Sequence, residues 1–122
     1  MILADTAIWV DHLRNNNPEM VRRLGGGQVV MHPFIVGEIA LGSLHSRRKR
    51  LDDMDALLEV NVAQLHEVRH MIEAHSLYSR GIGITDACLI ASCLITPGTQ
   101  LWTRDNAMEK VARTLGIPVN LP

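Results

Sequence analysis

Apolar positions along this chain fall into short blocks whose period changes wherever glycine, proline or asparagine interrupts them. Ile2-Leu3-Ala4 is an unbroken apolar run that stops at Asp5, which predicts a buried strand over 2–4 followed by a helix from about Thr6 to Leu13. Asn15-Asn16-Asn17-Pro18 predicts a loop, and Pro18 is suited to start a short helix through Leu24. Val29 and Val30 centre a second strand over 28–31, and Pro33 opens a helix from Phe34 to about Leu44. Arg47-Arg48-Lys49-Arg50 reads as a basic turn, Leu51–Leu58 as a helix and 59–62 as a short third strand. Leu65, Val68 and Ile72 carry helical spacing through 64–79. Gly81 and Gly83 break the chain, and Thr85 is the predicted N-cap of a helix reaching Leu94 or Ile95. After the Pro97-Gly98 turn come a fourth strand over 100–103, a helix over 106–115 and a last strand over 117–120.

Strands alternating with helices predict an α/β fold, a central, mostly parallel sheet of four to five strands flanked by helices. The 122 residues fit one domain spanning 1–122, large enough to bury about two-thirds of its unfolded surface without disulfide staples. In such a sheet a site lies beyond the carboxyl ends of the strands. That rule directs attention to acids. Asp5 follows the first strand and Asp105 follows the strand over 100–103. Asp86 stands in the first turn of an otherwise apolar helix, DACLIASCL, and Glu38 lies inside the apolar stretch FIVGEIALG. Each has an ordinary explanation alone: a turn residue, a helix cap, a loop residue, a polar face. Together they put a carboxylate on two strand ends and two apolar helices, with no basic partner inside those segments except Arg104 beside Asp105. Carboxylates so gathered would raise one another's pKa, and a divalent cation relieves that penalty. Mg²⁺ and Mn²⁺ are the cations that favour oxygen donors.

ILADTAIWVDHL, PFIVGEIALG, GIGITDACLIASCL and LWTRDNAMEKVARTLGI, taken in order, resemble the four acidic motifs of PIN-domain nucleases, and within that family the VapC toxins of bacterial VapBC toxin–antitoxin pairs. The resemblance covers nearly the whole chain. It implies a PIN-like domain acting as a metal-dependent endoribonuclease, with Asp5, Glu38, Asp86 and Asp105 as metal-binding and catalytic acids and Thr6 and Thr103 as supporting hydroxyls. It also implies Mg²⁺ or Mn²⁺ as cofactor, RNA as substrate, a VapB-like antitoxin as partner and a homodimer. The family often places an aromatic residue three positions after the last acid. Met108 stands there in this chain, a change expected to affect packing more than chemistry.

Charge limits how RNA could be held. The net charge is −1, so no global field recruits nucleic acid, and contact needs a local patch. Arg47, Arg48, Lys49 and Arg50 form the candidate patch, although a solvated turn explains the same run. Cys88 and Cys93 have neither redox nor zinc spacing and read as reduced core residues. The N-terminus lacks a basic leader and no uncharged apolar run reaches the roughly 18 residues of a membrane span, so a cytoplasmic protein is expected.

Three other patterns compete. His66-Glu67-Val68-Arg69-His70 matches the HExxH zinc signature, but it needs a third ligand, and Arg69 would oppose a cation. A solvent-facing stripe is the simpler reading. A receiver-like phosphoacceptor domain wants paired acids after the first strand and a lysine after the last, and neither is present. A catalytically dead binding module on the same scaffold would be expected to have lost at least one of the four acids. Trp9, Trp102 and Phe34 read as core residues, and Gly81-Ile82-Gly83 as a turn rather than a phosphate loop.

Overall fold

The chain starts with a three-residue strand, β1 (Ile2–Ala4), in which every side chain is buried. The computed structural model describes residues 1–121. Asp5 ends β1 and caps α1 (Thr6–Asn15), and Asn17 caps α2 (Pro18–Gly25), where Pro18 takes the first turn as its fixed φ allows. β2 (Val29–Val30) follows, then α3 (Pro33–Ala40) capped by the His32 imidazole. α4 (Arg47–Asp55), α5 (Leu65–Ala74), α6 (Ile84–Ile95), β3 (Gln100–Trp102) and α7 (Asn106–Thr114) complete the order.

The sheet runs β2-β1-β3, and both pairings are parallel. Leu3 faces Val30 on one side and Leu101 on the other, so β1 is the middle strand. Because all strands point the same way, the ends of β1 and β3 lie on one edge, where Asp5 and Asp105 emerge.

The sheet has three strands among the described residues, not the four to five expected. The predicted strand over 59–62 contributes one parallel bridge, Met31 with Glu59. The chain leaves the sheet directly afterwards, because the Asn61 N–H turns to the Thr96 hydroxyl at 2.9 Å. The predicted strand over 117–120 likewise gives a single bridge, Leu101 with Val119. Pro118 has no N–H to extend a ladder, and Asn120 is left-handed at φ 53°. Both segments flank the sheet in the parallel sense but are too short to be strands.

Several helix boundaries also differ from the expected ones. The basic run 47–50 is not a turn. It is the first turn of α4, entered through Ser46 at φ 52°. Arg47 donates to the carbonyls of Ala40 and Gly42, so its guanidinium satisfies the end of α3, which stops at Ala40 rather than Leu44. α5 ends at Ala74, before the left-handed Ser76. α6 is capped by Gly83, and Thr85 sits inside its first turn. Residues Ala87 to Cys93 of α6 are all buried, which matches the helix's apolar composition all round. Its Cys88 and Cys93 are free thiols. Trp9 is buried and Trp102 half-buried beneath the Arg23 guanidinium, 4.7 Å from its ring. Phe34, expected in the core, is 48% exposed, because the first turn of α3 faces outward beyond the His32 cap. No described helix is long and apolar enough to cross a membrane.

Candidate active site

Asp5 arrives at the sheet edge with both carboxylate oxygens already engaged. Oδ1 accepts from the Ile8 N–H at 3.0 Å, which is the N-cap of α1, and Oδ2 accepts from the Thr103 hydroxyl. The residue is buried, at 6% exposure. Thr103, just past β3, is pinned in turn: its N–H donates to Asn120 Oδ1 at 2.9 Å, and its hydroxyl accepts from the Asp105 N–H at 3.0 Å. Asp105 caps α7 through Met108 N at 2.9 Å. One hydroxyl thus joins the ends of β1 and β3 and sets the two acids side by side. Met108 is fully buried beneath this cap, where it acts as packing.

Glu38 reaches the same place from α3. Its Oε1 accepts from the Thr6 hydroxyl at 2.7 Å. The apolar neighbours of Glu38 suggest a costly buried carboxylate, but the residue is exposed. Ile35 and Ile39 carry the buried face of α3, while Gly37 and Glu38 open onto solvent. Asp86 enters from the first turn of α6 and is half-buried. Burial raises its pKa above the ordinary carboxylate value, a backbone hydrogen bond from Gly83 opposes this, and the charges of Asp105, Asp5 and Glu38 push it further up. Four acids from four separate segments therefore share one field. They line a single cavity of about 520 Å³ together with Thr6, Ala7 and Arg104.

A family model of the PIN domain matches residues 2–114. The chain belongs to the PIN-domain family. Ribonuclease VapC32 of Mycobacterium tuberculosis, found in strains CDC 1551 / Oshkosh and ATCC 25618 / H37Rv, is 35% identical over 117 residues, which is 96% of this chain and 94% of the relative. This match makes the chain a VapC-type PIN domain, and the receiver-like alternative falls with it.

The donor set of this PIN domain suits a divalent cation. All four acids offer hard oxygen ligands, and no histidine or cysteine lines the cavity. Among the described residues no group of three or more His, Cys, Asp or Glu side chains is placed so that it could hold a metal ion as it stands. The four acids line an open cavity rather than closing on one point.

Other expectations separate cleanly. Thr6 lines the cavity and holds Glu38, whereas Thr103 lies behind it and holds Asp5. None of Arg47, Arg48, Lys49 and Arg50 lines it. Arg47 is spent on α3, and Lys49 pairs with Asp53 at 3.0 Å. Arg50 borders a different cavity between α1 and α4, and Arg48 is exposed. In the HExxH stretch His66 and His70 are exposed, and Glu67 bonds the Gln64 N–H at 2.8 Å as a capping box. Sequence reasoning missed Asn120 and Asp11. Asn120 holds Thr103 across 17 residues, a pairing with no local signal. Asp11 lies on α1 and receives Asn15 at 3.0 Å, Asn17 at 2.9 Å and Arg104 at 3.3 Å.

Proposed function

We propose that this PIN domain is a divalent-metal-dependent endoribonuclease, the toxin of a type II toxin–antitoxin pair, hydrolysing RNA at the cavity formed by Asp5, Glu38, Asp86 and Asp105. The observation that carries the reading is the convergence of these acids on one open cavity of about 520 Å³, in a chain related to a VapC ribonuclease. That volume holds hydrated cations and a phosphate together.

Asp5 is the rigid ligand, since α1 and Thr103 fix both of its oxygens before any ion binds. Asp105 is set by its place at the head of α7, and Glu38 is oriented by Thr6. Burial and the neighbouring carboxylates hold the Asp86 pKa above its ordinary value, and a cation bound beside it would favour the ionised form. When bound, Mg²⁺ or Mn²⁺ supplies an activated water and neutralises charge on the attacked phosphate and the leaving oxygen. No histidine lines the cavity to deprotonate a 2′-hydroxyl. The products are therefore RNAs ending in 5′-phosphate and 3′-hydroxyl.

A VapB-like antitoxin would restrain the enzyme, and two copies of the chain would form a homodimer. The test is sequencing of RNA ends after incubation with purified protein in Mn²⁺, with EDTA as control. Cleavage that survives EDTA, or 2′,3′-cyclic phosphate ends, would refute the reading.

A further inference from the structure

The cavity carries four carboxylates and must admit a phosphodiester, itself an anion. Among the described residues Arg104 is the one basic side chain that lines it. Its backbone stands between Thr103 and Asp105, both held by hydrogen bonds, so the Cα is anchored. The side chain is not. It is 60% exposed, and its recorded ion pair is a single contact to Asp11 at 3.3 Å. Asp11 depends little on that contact. The Asn15 and Asn17 amides, before Arg104, keep its carboxyl below its ordinary pKa, and both make shorter bonds to it. An exposed, solvent-screened pair of this kind contributes little to stability.

An anchored backbone, an exposed guanidinium and a single long parking contact describe a side chain free to change partners at little cost. Guanidinium presents paired donors that match two phosphate oxygens. We propose that Arg104 is a phosphate-binding residue of this site: it rests on Asp11 in the free protein and transfers to a non-bridging phosphate oxygen when RNA lies over the four acids. The inference rests on the ribonuclease reading above. Asp11 then acts as a positioning residue, holding the guanidinium at the rim and away from the carboxylates where a cation would bind. If Arg104 were only a structural partner of Asp11, its loss would leave RNA affinity and the salt response untouched.

The experiment measures binding without turnover. A fluorescein-labelled random-sequence RNA oligonucleotide is titrated with full-length protein in Ca²⁺, between about 50 and 200 mM salt. Wild type is compared with Arg104→Ala, Arg104→Lys and Asp11→Asn, each checked for folding by circular dichroism. Arg104→Ala is expected to weaken binding about tenfold and to reduce the slope of log affinity against log salt by about 0.7, the loss of one contact to single-stranded RNA. Arg104→Lys should keep the slope but recover only part of the affinity, and Asp11→Asn should bind at least as tightly as wild type. An Arg104→Ala protein that matches wild type in affinity and slope overturns the assignment while leaving the nuclease reading intact. A wild-type protein that neither binds this probe nor cleaves RNA in Mn²⁺ overturns both.

Discussion

Thr103→Val removes one hydroxyl and keeps the shape of a side chain that is only 2% exposed. Two hydrogen bonds go with it. The bond donated to Asp5 is to a buried carboxylate, a class worth about 1.5–3 kcal/mol. The bond accepted from the Asp105 N–H counts for less, about 0.5–1 kcal/mol, because Asp105 is exposed and water can replace the hydroxyl. The variant should therefore lose about 2–4 kcal/mol. Unfolding entropy of about 2.1 cal/mol/K per residue makes each kcal/mol worth about 4 °C in a chain of 122 residues, so Tm should fall by about 8–16 °C. Activity on RNA should drop about 10–100-fold, the usual cost of freeing a ligand from its supporting hydrogen bond. Thr103→Ser keeps both bonds and should stay within about 4 °C of wild type. A double-mutant cycle with Asp5→Asn isolates the pair, with an expected coupling of at least about 1 kcal/mol. Differential scanning calorimetry in EDTA reads all five proteins. A Tm loss under about 4 °C for Thr103→Val, or additive effects in the cycle, would refute the claim that this hydroxyl joins the two strand ends.

Asp86→Asn should abolish cleavage yet raise Tm in EDTA at neutral pH, because the native state binds the Asp86 proton more tightly than the unfolded chain. Wild-type stability from this group accordingly falls as pH rises from 3.8 through the raised native value, and Asp86→Asn should remove that slope. A lower Tm for the asparagine variant would contradict this. His32 is fully buried, and burial lowers its pKa below 6.5. Its contribution is present above pH 6.5 and is lost as pH falls through the lowered native value. His32→Asn, which keeps an acceptor for the Phe34 N–H, should flatten thermal melts over that window, leaving the share of His12, whose pKa burial also lowers. Arg47 and Arg48 should part company. Arg47→Ala should lower Tm by about 4–8 °C through the lost bonds to α3 without changing the salt dependence of RNA binding, whereas Arg48→Ala should leave Tm within about 2 °C. Equal melting temperatures would undo the capping assignment.

Local physics made much of this protein legible from its residues alone. The Ile2–Ala4 run, the proline-started helices and the buried stretch of α6 are short-range patterns, and the structure places them where the patterns put them. The four acids were legible for a related reason. A carboxylate at a strand end or in an apolar segment conflicts with its surroundings, and that conflict is written in the sequence. The weak spots were positions whose state depends on remote partners. Residues 59–62 and 117–120 have strand-like composition, but pairing is settled by what lies opposite, and Thr96 and Pro118 end it after one bridge. Arg47 belongs to a basic run by sequence, whereas its bonds to the open carbonyls at the end of α3 depend on the fold. Contiguous apolar neighbours left Glu38 open to either reading, a buried carboxylate or a polar face, and the helix decides it by turning Ile35 and Ile39 to one side. The order of the site is likewise tertiary. Thr103 binds Asp5 across 98 residues, and only the parallel alignment of β1 with β3 brings that hydroxyl within reach. The sequence by itself determined which groups carry charge and which segments bury. The parallel sheet and the helices around it decided which of those charges meet, because hydrogen bonds and Coulomb forces act across space and take no account of distance along the chain.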